Sequence, residues 1–224
     1  MVPVAPGPLA TATMTPTQNW MATPHSSPTY MATPPMGIVW DPALIMNVNG
    51  AVFSSLYLSV NGVLEATAGV TLTTPSGNVP YTFIAGGSGR GSYAYYGNSV
   101  TFVYQAGQPY TLTTVTSIGT ATATVIAPGG NFTLAPDDSW ISWLVEGNED
   151  FVRVMNLAML GFTYDSETIT ADIDSVFSIP PSAYPSPGNY QLTFHAQTSN
   201  YSVTGAAPGS RLEIEEWDIL NFTK

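Results

Sequence analysis

The chain has 224 residues, 44% of them hydrophobic and only 8% charged, with a net charge of −11. That much apolar content builds a core rather than a disordered coil. With only Arg90, Arg153, Arg211 and Lys224 positive, no basic surface exists for nucleic acid or anionic lipid, and the lack of cysteine removes disulfides, thiol catalysis and Cys-based zinc sites.

Residues 1–37 hold eight of the nineteen prolines, five of the eight methionines and no charge. A loose repeat runs through them: Met14-Thr15-Pro16, Met21-Ala22-Thr23-Pro24, Met31-Ala32-Thr33-Pro34. Proline at this spacing blocks helix and central strand alike, so an extended arm is expected. Its apolar side chains, Trp20, Met21, Tyr30 and Met31 foremost, exceed what a solvated tether needs and mark it as an arm that packs on something. It shows neither the basic n-region nor the apolar h-region of an export signal, so any such signal is expected to lie outside this numbering. No run of about 18 apolar residues occurs anywhere, so no membrane-spanning helix is expected.

From residue 38 to 128, short alternating runs are separated by turn residues. Ala43 to Val48, Ala51 to Val60, Val63 to Thr73, Val79 to Ala85, Ser92 to Tyr96, Ser99 to Gln105, Tyr110 to Ser117 and Thr120 to Ile126 read as strands. Asn49-Gly50 and Asn61-Gly62 are hairpin signals, because both central residues of a type I′ turn take positive φ. The glycine-rich stretch 86–91 reads as a hairpin tip, since no Lys-Ser/Thr follows to make it a phosphate loop.

A second, acidic unit is expected over 129–224, after Ala127-Pro128-Gly129-Gly130. Thirteen of the fifteen acids lie beyond residue 130. Asn131 to Leu134, Trp140 to Val145, Phe151 to Asn156, Gly161 to Tyr164, Ile169 to Ile173, Phe177 to Ile179, Tyr190 to Gln197, Tyr201 to Thr204 and Leu212 to Phe222 read as strands. Trp140 and Trp143 stand three apart, so a strand places them on opposite faces, one in the core and one partly exposed.

Several of these stretches carry a resemblance. Val70-Thr71-Leu72-Thr73, Tyr93-Ala94-Tyr95, Tyr104 to Leu112 and the Ala127-Pro128-Gly129 exit resemble bacterial immunoglobulin-like surface domains. Trp140-Ile141-Ser142-Trp143, Asp174 to Pro180 and Pro187 to Leu192 resemble the domain that often follows them. The resemblance implies a surface or secreted bacterial protein, in some cases a lipoprotein, and carries no activity with it. The expected fold class is therefore all-β: two tandem immunoglobulin-like β-sandwich domains, 38–128 and 129–224, behind an extended Pro/Thr-rich arm, 1–37.

Catalytic constellations are thin. His25 and His195 are the two histidines, and no Gly-x-Ser-x-Gly elbow accompanies them. His195 reads as a strand histidine facing solvent or paired. Glu146 to Asp150 reads as a solvated hairpin loop, and no enzyme is expected. Asp137, Asp138, Glu149, Asp150, Asp172 and Asp174 offer the oxygen ligands that calcium takes, although no Asp-x-Asp-x-Asp-Gly loop organises them. Tyr93, Tyr95 and Tyr96 form a tyrosine cluster that suits either cross-strand packing or glycan stacking.

Three functions compete on these grounds. The leading one is an extracellular structural subunit that binds copies of itself, its arm adding a strand to a neighbour's sheet to build a filament or surface layer. The second is a monomeric surface adhesin or glycan-binding lipoprotein, stabilised by calcium. The third is a viral capsid or decoration protein, for which a basic genome-facing patch is missing.

Overall fold

The computed structural model describes residues 36–85, 91–97, 103–166 and 176–224. The chain divides into Met1–Thr33 and Pro34–Lys224, and every described residue belongs to the second unit. The arm residues Trp20, Met21, Tyr30 and Met31, and the acids Asp172 and Asp174, lie outside the described residues.

Strands β1 (Ile38–Val48) and β2 (Ala51–Val60) form a hairpin about Asn49-Gly50, whose φ values are 47° and 84°. Strand β3 (Val63–Leu64) turns back on β2 through Asn61-Gly62, at 52° and 76°. Both turns follow the rule read from the sequence. Then come β4 (Gly69–Thr74), β5 (Gly77–Pro80), β6 (Thr82–Ala85), β7 (Gly91–Gly97), β8 (Pro109–Thr116) and β9 (Gly119–Ile126). The second half supplies β10 (Thr133–Leu134), β11 (Trp140–Ser142), β12 (Phe151–Asn156), β13 (Gly161–Asp165), β14 (Val176–Ser178), β15 (Asn189–Asn200) and β16 (Leu212–Thr223). One short 3₁₀ turn, Pro181–Ala183, interrupts them. The all-β class expected from composition holds. No helix among the described residues is long and apolar enough to cross a membrane.

One nine-stranded sheet runs in the order β13-β12-β15-β16-β1-β2-β7-β6, with β3 attached to β2. A four-stranded sheet, β5-β4-β8-β9, covers one part of it and a three-stranded sheet, β10-β11-β14, covers another. The first core joins Trp40, Ile45, Leu56 and Leu58 of the large sheet to Leu72, Tyr110, Leu112 and Val125 of the four-stranded one. Trp40 is fully buried, and its indole Nε1 donates to Thr114 Oγ1 across the sandwich at 3.1 Å. Between Trp40 and Ala43 the β1–β2 register shifts, which lets Pro42, having no N–H, sit inside a long strand.

The second core joins Val152, Val154, Tyr190, Leu192 and Phe194 to Ile141, Trp143, Ile179 and Ala183. Trp143 is 4% exposed and Trp140 37%, as their spacing predicts. The two cores fall on either side of residue 128 in sequence, except that Leu212 and Ile214 of β16 belong to the first and the half-buried Val203 and Ala206 pack against it. Strand β16 is antiparallel to β15 along twelve residue pairs and parallel to β1 from Ala43↔Leu212 to Val48↔Trp217. Its start therefore fills one sandwich, while Phe222 near its end packs against the other.

The expected junction at Ala127-Pro128-Gly129-Gly130 is bound rather than loose. Gly129 and Val145 exchange backbone hydrogen bonds of 2.7 and 2.9 Å, and Leu144 N–H donates to the Gly130 carbonyl at 2.8 Å. Glu216, arriving from β16, accepts from Gly130 N–H with Oε2 and from Asn47 Nδ2 with Oε1. Gly129 and Gly130 have φ of 78° and 76°, and a Cβ on Gly129 would collide with the Glu216 carboxylate. Both glycines are required here, one for backbone conformation and for the close approach together.

Candidate functional site

The large sheet ends at β13, Gly161-Phe162-Thr163-Tyr164-Asp165, which pairs with β12 and with no other strand among the described residues. Natural edges are usually blunted by lysine, proline or a covering element. Strand β13 has neither lysine nor proline, though it is short, ends on Asp165 and lies against the Pro181–Ala183 turn. Beside it, the β12–β13 turn raises an apolar tip: Met159 is 73% exposed, Leu160 81% and Phe162 63%. Leu160 also holds a left-handed φ of 50°, a conformation that disfavours leucine. The flank is pinned by Arg153, whose guanidinium lies 4.2 Å from the Phe151 ring and 5.6 Å from Phe162, and whose Nε meets Asp165 at 2.9 Å. The sheet's other end, β6, pairs only with β7 among the described residues.

Two strands in from this edge, on β15, His195 is neither solvent-facing nor hydrogen-bonded. Its ring packs at a tilt against Phe151, with centroids 4.5 Å apart, and against Trp217, at 4.3 Å. Its Nε2 stands 3.7 Å from Glu215 Oε2, too long for a hydrogen bond. Trp217 Nε1 donates to the same Glu215 oxygen at 2.9 Å. Burial alone would raise the Glu215 pKa, but the imidazole and indole hold it below the ordinary value. Neither ring nitrogen of His195 has a hydrogen-bond partner, so no hydroxyl is held against it as a nucleophile would be.

The acids singled out from the sequence have separate roles. Asp137 accepts from Ser139 Oγ at 2.6 Å and from its N–H at 3.2 Å, which keeps its carboxyl below the usual range. Asp138 meets Lys224 Nζ at 3.1 Å. Glu149 is exposed, and its N–H donates to the Gln197 carbonyl at 3.2 Å. Asp150 is 1% exposed, and burial raises its pKa. It accepts from Gly147 N–H at 3.1 Å and Gln197 N–H at 3.3 Å.

The loop expected to be a solvated hairpin is therefore a cap. It satisfies β15 beyond the first pair that β12 makes, Phe151↔His195, and Asn148 Oδ1 continues the job by accepting from Ser199 N–H at 3.1 Å. The signal in the sequence was Asn148 and Asp150 just before a strand start, residue types that bond local backbone. Which strand they would cap was not written there. Among the described residues no three carboxylates or histidines gather to hold a metal ion. Tyr93, Tyr95 and Tyr96 fall on β7, opposite Leu56, Ser54 and Phe53 of β2; their side chains lie outside the described residues.

No family model matches the sequence, and no curated protein matches it. Among solved structures, a crystal structure of chicken CNTN1 FN1-FN3 domains is similar at 13% identity with a TM-score of 0.22. The similarity covers 83% of this chain and 66% of that one, so the chain spans just under two thirds of its length.

Proposed function

We propose that this is a non-catalytic structural protein of the bacterial exterior that assembles by strand addition, the N-terminal arm of one copy pairing along β13 of the next. The observation that carries it is the terminal strand β13, paired on one side only among the described residues, beside the exposed Met159, Leu160 and Phe162. The arm has the matching chemistry: no charge to desolvate, and Trp20, Met21, Tyr30 and Met31 to set against an apolar tip. Strand addition draws affinity from main-chain hydrogen bonds and specificity from alternate side chains. The prolines limit full pairing to stretches such as Asn19 to Ala22 and Tyr30 to Thr33. An arm-to-edge contact is heterologous and does not close, so copies add head to tail. The exterior location rests on composition and on the resemblance to bacterial surface domains.

Deleting residues 1–35 tests this, because the deletion leaves every described residue of the sheets in place. The intact chain is expected to sediment as polymers and to show filaments in negative stain. The truncated chain is expected to sediment as a folded monomer, and Phe162→Lys in the intact chain is expected to do the same. A truncated chain that assembles like the intact one rules out the arm. Assembly that survives Phe162→Lys rules out this edge.

A further inference from the structure

Strand β16 carries Glu216 and Asp218 two residues apart, so both point to one face of the sheet, and Glu216 lies against the Gly129-Gly130 turn that joins the two sandwiches. Glu216 is 6% exposed. Its carboxyl group accepts from Gly130 N–H with one oxygen and from Asn47 Nδ2, at 3.1 Å, with the other. The titratable groups around it are Asp218 on its own strand, Tyr104 in the segment before β8, and Tyr110 on β8. Among the described residues no cation faces it: Arg153 is paired with Asp165, Arg211 with Glu213 and Lys224 with Asp138, while His195 lies beside Glu215.

A charge on Glu216 is disfavoured by burial and then by Asp218, and the two N–H donors offset only part of that, so its pKa is raised to about 7. Relief is available on one side. A pocket of about 340 Å³ is walled by Glu216, Gly130, Tyr104 and Leu144, and it reaches the exposed Gly50, Gln105 and Asn131. A carboxylate that lets go of Gly130 has this space to turn into, toward solvent. Asn47 serves either charge state, because an amide presents N–H to a carboxylate or, turned over, a carbonyl to a carboxyl group. The turn has other attachments that Glu216 does not touch: Gly129 and Val145 exchange backbone hydrogen bonds, and the Tyr104 hydroxyl donates to the Pro128 carbonyl at 2.8 Å.

We infer that Glu216 is a pH-operated latch on the joint between the two sandwiches: protonated it holds Gly130, and ionised it swings into the pocket and frees that turn. The direction follows from linkage. A released carboxyl group ionises at its ordinary pH and a latched one only near pH 7, so rising pH between those values favours release. What changes is the stiffness of the joint, held by four attachments below the window and by three above it. The latch is separate from the β13 edge and does not depend on assembly.

Amide hydrogen exchange of the full chain, read residue by residue by NMR, tests this, because a locally opened bond loses protection while the rest of the fold keeps it. From about pH 5.5 to about pH 8.5, the protection factor of Gly130 N–H is expected to fall at least about tenfold. Gly129 N–H, held by the Val145 carbonyl at 2.7 Å, is expected to keep its protection. Glu216→Gln mimics the protonated group, with an oxygen for Gly130 and an NH₂ for Asn47, and is expected to hold Gly130 equally at both pH values. Asp218→Asn leaves Glu216 in place and relieves the neighbouring charge, so the fall is expected to shrink. It decides the matter if the glutamine variant does not fold, since an undiminished fall there counts against the latch. Three results overturn the latch outright: an equal fall in Glu216→Gln, a fall shared by Gly129, or Gly130 protection that rises with pH.

Discussion

Glu216 is a carboxyl group placed where ionising is difficult. Burial, and then the charge of Asp218, push its pKa from 4.5 up to about 7. The folded protein therefore keeps this proton at pH values where the unfolded chain has lost it. Stability from this group is fully present below about pH 4.5 and is lost as pH rises to about 7, a change on the order of 3 kcal/mol at most. Urea unfolding across that window should show stability falling with pH. Glu216→Gln cannot titrate, so its slope should be distinctly flatter, while Asp150, Asp218 and Glu213, also raised by burial, keep a residual slope of the same sign. Equal slopes in the two proteins would assign the dependence to those other groups. Little of this was legible beforehand. Gly129-Gly130 announced a turn, but the space these glycines leave is taken by distant residues, Glu216 against Gly129 and Ala106 against Gly130, and no local pattern carries that.

At the scale of elements, the β12–β13 hairpin sets an exposed function against local stability. Leucine at a left-handed φ is strained by about 1–2 kcal/mol relative to glycine, and Leu160 makes up little of that by burial, being 81% exposed. Leu160→Gly should raise unfolding free energy by about 0.5–1 kcal/mol, once the greater freedom of glycine in the unfolded chain is set against the relieved strain. If the tip takes part in assembly, the same variant should assemble less well while being more stable. Strands with a clear period and sharp ends were the legible ones: Ala51–Val60 and Phe151–Asn156 stand as the sequence predicts them. The expected run Val63 to Thr73 splits into β3 and β4, because β2 is paired by Val63–Leu64 while Gly69–Thr74 pairs with β5 and β8. Tyr201 to Thr204 reads as a strand but makes only a single bridge, Thr122↔Thr204. The expected runs Ser99 to Gln105 and Ile169 to Ile173 fall partly or wholly outside the described residues.

For the molecule as a whole, the consequential feature is that the last strand completes the first sandwich. The junction at 128–130 divides the sequence into halves of different charge, and two cores follow that division. Yet β1 needs β16 as a sheet neighbour, and Leu212 and Ile214, both fully buried, fill the first core. A fragment of residues 36–128 would leave β1 with an open apolar edge and remove two large buried side chains. Truncating even one such side chain typically costs 2–5 kcal/mol, against a total stability of about 5–15 kcal/mol for a domain. The second half would likewise lose the parallel partner of β16 and the Asn47 that holds Glu216. The intact chain is therefore expected to unfold in one calorimetric transition, with matching calorimetric and van't Hoff enthalpies. The 36–128 fragment is expected to show no cooperative unfolding alone, and to regain it when mixed with 129–224. Two separated transitions in the intact chain, or a cooperatively folded 36–128 fragment, would show instead that the sandwiches are independent and that β16 joins them without being needed by the first.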